Sequence, residues 1–130
     1  INEPEEAMYP ASITDNYGEF LRGDRSYRMR FEAGKLPPVD AFWSVTAYDS
    51  RTSQLTENTL GRYSIGDRTP GLEYENDGSL VLTLSARPPS SGVSNWLPIP
   101  ESPFHVVTRL YLPKPAALSG EYVLPVIERI

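Results

Sequence analysis

Two aromatic-proline segments constrain this chain more than anything else in it. One is Leu36-Pro37-Pro38-Val39-Asp40-Ala41-Phe42-Trp43-Ser44-Val45-Thr46-Ala47-Tyr48-Asp49; the other is Asn95-Trp96-Leu97-Pro98-Ile99-Pro100, and together they hold both tryptophans. Proline stops helices and cannot donate to a ladder, whereas Phe, Trp, Val, Thr and Tyr suit a half-buried pleated surface. A chain punctuated in this way folds into short strands separated by turns. With 9 glycines and 13 prolines in 130 residues, the two together exceed their usual combined share of about 12%.

Periodicity places the strands. Tyr27, Met29 and Phe31 alternate with Arg28, Arg30 and Glu32, the period of a strand buried on one side. Ala41 to Asp49 reads as a central strand, with Phe42, Ser44, Thr46 and Tyr48 on one face and Trp43, Val45 and Ala47 on the other. Short extended pieces are expected around Leu55 and Leu60 to Ile65. Leu72 to Glu75 and Leu80 to Ala86 flank Asn76-Asp77-Gly78, a hairpin signal. Phe104 to Leu112 forms a further strand, and Tyr122 to Val123 and Val126 to Arg129 a last short pair broken by Pro125. Residues 87–103 read as a long proline loop, Glu3 to Met8 as a possible helical turn, and Ala116-Ala117-Leu118 as a single turn of helix. The expectation is an all-β chain: a jelly-roll-like antiparallel β-sandwich of about seven or eight short strands.

Charge divides the chain. Of the 17 acids and 12 bases, Glu3, Glu5, Glu6, Asp15, Glu19 and Asp24 stand in residues 1–24 against Arg22 alone, so the excess of −5 lies there. Residues 1–24 are therefore expected as an acidic N-terminal arm and opening turn, and 25–130 as a single β-sandwich domain. No basic stripe suits nucleic acid, and no run reaches the ~18 apolar residues of a membrane span. The absence of cysteine excludes disulfides and thiolate metal sites. The first residue, Ile1, is consistent with a processed product or a piece of a longer protein.

Familiar catalytic patterns are missing. His105 is the only histidine, no Gly-x-Ser-x-Gly elbow supports a triad, and neither a P-loop nor a dinucleotide fingerprint occurs. Glu73, Glu75 and Asp77 gather beside the hairpin turn, but a polar strand face accounts for them. No catalytic residue, metal site or cofactor is assigned. The remaining lead is a groove lined by Trp43, Arg62, Tyr63, Asp77, Asn95, Trp96, His105, Arg109 and Tyr111. Aromatic rings take sugars or apolar ligands, and arginine clamps carboxylates. The competing and preferred reading packs the same rings into a core or a domain interface. Arg109 is then expected to donate to carbonyls of the proline loop, or to Asp49 or Asp77.

The run from Pro37 to Asp49 resembles the hallmark of the bacterial family called domain of unknown function 1214. So, in order, do Asn58 with Arg62-Tyr63-Ser64-Ile65-Gly66-Asp67, Asn76-Asp77-Gly78-Ser79-Leu80, Asn95-Trp96-Leu97-Pro98, and Arg109-Leu110-Tyr111 with Pro113. Asp15, Gly18, Leu21 and Gly23 fit its opening turn. The resemblance covers roughly Glu6 to Ile130. It implies a jelly-roll-like domain, often the C-terminal half of a protein carrying a second β domain, of unknown function 1254, and often exported. It supplies no agreed activity and no catalytic residues. The resulting expectation is a structural or assembly module that packs against a second β domain or a sister subunit; the alternative is a ligand-binding or hydrolytic domain.

Overall fold

A computed structural model describes residues 5–55 and 60–130. Among these residues nine strands build two packed sheets, with one helical turn beside them. The larger sheet contains β1 (Ala7–Met8), β2 (Ala11–Ser12), β4 (Val39–Asp49), β5 (Ser64–Gly66) and β8 (Phe104–Pro113). Both short N-terminal strands pair with β8, and β4 lies between β8 and β5. The smaller sheet runs β7 (Trp96–Pro98), β6 (Leu80–Ser85), β3 (Tyr27–Phe31), β9 (Ile127–Arg129). The turn α1 (Pro115–Leu118) follows β8, with proline at its start.

The alternation of the sequence becomes the core. β3 contributes Tyr27, Met29 and Phe31; β4 contributes Trp43, Val45 and Ala47; β6 contributes Leu80, Leu82 and Leu84; β8 contributes Phe104 and Val106. Residues directly opposite in a pair share a face, so Trp43 with Leu110 and Ala47 with Val106 point inward, while Phe42 with Tyr111 and Tyr48 with His105 point outward. The fold is a β-sandwich, as expected.

Four local expectations are corrected. Residues 72–75 form no strand: the Glu75 amide bonds the Ser79 carbonyl and Gly78 closes back on Glu75, so a tight turn feeds β6 without a partner arm. The long proline loop contains β7, which pairs parallel to β6 in an otherwise antiparallel architecture. Only Ile127–Arg129 of the last expected pair is a strand, on β3. Met8 lies in β1 rather than in a helical turn; Glu3 and Asn58 lie outside the described residues. The acidic N-terminal segment is joined to the body through β1 and β2, and Leu21 sits in the core.

Two close approaches hold the sandwich edges. A Cβ on Gly23 would stand 1.6 Å from the Pro100 carbonyl oxygen, and one on Gly66 would stand 2.1 Å from that of Trp43. Only glycine admits these contacts. Among the described residues, no helix is long and apolar enough to cross a membrane.

Candidate functional site

The nine groove candidates separate into four places. Trp96 is 3% exposed, and its indole N–H donates to the Ser85 carbonyl at 2.9 Å. Trp43, also 3% exposed, packs on Phe31 with ring centroids 5.2 Å apart. Both tryptophans are buried, Trp43 within the core between the sheets and Trp96 outside it. Asn95 pins the loop: its amide nitrogen donates to the Glu73 and Val81 carbonyls, and its oxygen accepts from the Glu73 amide. Asp77 belongs to the turn. The Ser79 hydroxyl and amide, with Arg30 further off, hold its carboxyl below the usual range.

Arg62 takes the part expected of Arg109. Its Nη1 donates toward the carbonyls of Val93, Ser94 and Trp96 at 2.6, 3.2 and 2.9 Å, gathering the end of the proline loop around one charge. Arg109 instead lies on the outer face of the larger sheet. Nη1 donates to Thr46 Oγ1 at 2.9 Å and Nη2 to the Tyr48 hydroxyl. Neither of its expected carboxylates reaches it: Asp49 accepts from Arg51 and Ser102, which hold it far below its ordinary pKa, and Asp77 is held as above.

That outer face is the most organised surface of the molecule. Phe42 stacks on Tyr111 at 4.5 Å, Tyr9 meets Tyr111 edge-on at 6.3 Å, and the Arg68 guanidinium lies 4.2 Å over Phe42. At the other end Tyr48 stacks on His105 at 5.5 Å, with Arg109 over the Tyr48 ring. Phe42, Tyr48, His105, Arg109 and Tyr111 all remain partly exposed. Phe42 and Tyr48 stand six steps apart on β4, about 20 Å at the usual rise of a strand, so the strip is long. Beside it a groove of about 610 Å³ opens between Phe42, Trp43, Ser44 and the segment carrying Arg62, Tyr63 and Arg68, so three of the nine candidates, Trp43, Arg62 and Tyr63, line one groove.

Hydrolytic chemistry finds little to use. Ser50 Oγ lies 3.2 Å from His105 Nδ1, but the neighbouring Asp49 is committed to Arg51 and Ser102, and no described carboxylate bonds the imidazole. Among the described residues, no group of three or more His, Cys, Asp or Glu is placed to hold a metal ion.

Sequence reasoning places Asp15 in the acidic arm and the opening turn but not in a buried ion-paired cluster. Its side chain is fully buried, and Oδ1 accepts from the Tyr17 and Glu19 amides while Arg129 and Arg25 approach Oδ2 at 3.5 and 3.9 Å. Burial pushes this carboxyl up, but the two amides and the two guanidiniums outweigh it and leave the pKa below its ordinary value. An Asp two residues before Tyr17-Gly18 is the local signature of such a turn. The hairpin it locks presents Tyr17 and Phe20 to solvent.

Comparison with known proteins agrees with this architecture. The structure matches the VPA0106 protein from Vibrio parahaemolyticus with a TM-score of 0.86 and 39% identity, over 98% of this chain and 31% of that one. It matches an uncharacterised protein from Burkholderia cenocepacia with a TM-score of 0.59 and 20% identity, over 99% of this chain and 30% of that one; at that identity the likeness shows the fold alone. The chain thus spans about a third of the length of either protein. No curated protein matches it. The family model described as protein of unknown function (DUF1214) matches residues 6–115, and the chain belongs to that family.

Proposed function

We propose that this chain is an assembly module whose larger sheet packs, by its outer face, against a second β domain of the same parent protein. In this reading the partner is the domain of unknown function 1254 that the family resemblance implies, the parent is bacterial and exported, and residues 25–130 are the sandwich domain whose larger sheet the acidic N-terminal segment extends through β1 and β2. The observation that carries the reading is the strip of Tyr9, Phe42, Tyr48, His105, Arg109 and Tyr111. Tyr, Phe and Arg are the residues enriched at protein interfaces. Their rings are already engaged by one another and by Arg68 and Arg109, which leaves edges for a protein surface rather than bare faces for sugar stacking. The Vibrio protein supports the reading from another side, because there a unit of this fold occupies 31% of a longer polypeptide.

The test is hydroxyl-radical footprinting of the isolated chain and of a longer polypeptide that adds the second domain. Phe42, Tyr48, His105 and Tyr111 are expected to lose labelling in the longer protein, while Tyr74 and Val123 on other surfaces keep it. Equal labelling of the strip in both would remove the proposal. The ligand-binding or hydrolytic alternative has less support, because both tryptophans are buried and the Ser50–His105 pair has no carboxylate behind it among the described residues.

A further inference from the structure

We infer that Arg109, Thr46 and Tyr48 form a receptor for a single carboxylate on the outer face of the larger sheet. Arg109 is a half-buried cation with no ion pair among the described residues; its hydrogen-bond partners there are two hydroxyl oxygens. A guanidinium carries five N–H donors, so three remain uncommitted. Thr46 and Tyr48 accept from Arg109, so their own hydroxyl hydrogens are not used in those bonds; neither hydroxyl makes another hydrogen bond among the described residues. Thr46 is 3% exposed, so this hydroxyl is built into the sheet rather than solvated. The register adds a further hydroxyl, since Ser44 stands opposite Arg109.

The cluster is therefore rich in donors around a positive charge. One acceptor that satisfies all of it is a planar anion, and a carboxylate matches the guanidinium fork in a bidentate way. A single arginine suits one negative charge better than a phosphate dianion. The Tyr48–His105 stack beside it offers ring edges to whatever carries the carboxylate. The carboxylate can come from an Asp or Glu side chain of a docked protein or from a free aromatic acid; the receptor chemistry is the same. The inference goes beyond the assembly reading and does not need it.

The experiment is a titration of the 15N-labelled chain with sodium benzoate, with a capped tripeptide carrying a central aspartate, and with inorganic phosphate, following the Arg109 side-chain N–H signal. A saturable shift is expected with at least one carboxylate. Arg109→Met should weaken that binding about ten-fold or more, the scale of one charge-assisted hydrogen-bond pair. Tyr48→Phe, which keeps the ring and deletes one donor, should weaken it several-fold and serves if the arginine variant fails to fold. Preference for the tripeptide assigns a docked side chain, and preference for benzoate a free acid; both uphold the site. No saturable shift with either carboxylate, unchanged affinity in folded variants, or tighter binding of phosphate would overturn it. Footprinting of the longer polypeptide reports on assembly separately, so either idea can fail alone.

Discussion

Replacing Trp96 tests whether the proline loop is anchored as the structure indicates. Trp96 is 3% exposed and stands opposite Thr83 on β6, on the face of β7 away from its core neighbour Leu97. Large-to-small changes at such aromatic sites cost about 3–5 kcal/mol. Losing the indole N–H adds little, because the Ser85 carbonyl it bonds also accepts from the Ile99 amide at 3.2 Å. It keeps a partner, so the loss is that of one ordinary hydrogen bond, about 0.5–1.5 kcal/mol, not of a stranded acceptor. Trp96→Phe should therefore cost roughly 1–3 kcal/mol and Trp96→Ala about 4–5 kcal/mol. At roughly 3–5 °C per kcal/mol for a domain of this size, the alanine variant should melt about 12–25 °C below the parent. Urea unfolding followed by circular dichroism measures both, with an unchanged slope expected if only stability changes. An alanine variant melting within two degrees of the parent would show that the loop is held without its tryptophan.

Three further expectations follow from named contacts. Gly23→Ala should be among the most damaging single-methyl changes in the chain, because its Cβ would meet the Pro100 oxygen at 1.6 Å; a soluble variant with parental melting would contradict the close approach. Arg62→Met should destabilise by about 2–3 kcal/mol, since one guanidinium nitrogen serves three loop carbonyls and the charged bonds are worth about 1.5–3 kcal/mol each before water replaces part of them; protease cutting within residues 87–95 should rise with it, and unchanged cutting would argue against the clamp. Asp15 and Asp49 both have folded pKa values below the ordinary carboxylate range, so the stability they contribute is complete above about pH 4 and is lost as pH falls through their folded values. Melting should drop steeply on acidification below pH 4, and less steeply in Asp15→Asn; identical acid profiles for the two proteins would exclude Asp15 from the effect.

Much of the fold can be read from local pattern. The alternation in Tyr27–Phe31, Val39–Asp49 and Phe104–Pro113 settles which side chains can share a face, because the strand period is two, and those faces are the core. The aromatic-proline segments likewise point to the tight packing of Trp43 and Trp96. The family match rests on the order of these same segments. What period and composition leave open is which face of a sheet meets the other sheet and which strands become neighbours.

Tertiary structure alone decides those points. Parallel pairing of β7 with β6 brings residues 96–98 against 83–85 across a connecting loop, and nothing local distinguishes that from an irregular proline segment. The exchange of roles between Arg62 and Arg109 has the same origin. Both are arginines in aromatic surroundings, but only Arg62 is carried to the carbonyls of residues 93–96, and only Arg109 stands between Thr46 and Tyr48 through the β4–β8 register. Sequence spacing fixes direction along a strand; the partner of a long flexible side chain depends on contacts between segments tens of residues apart, and those exist only once the two sheets have closed on one another.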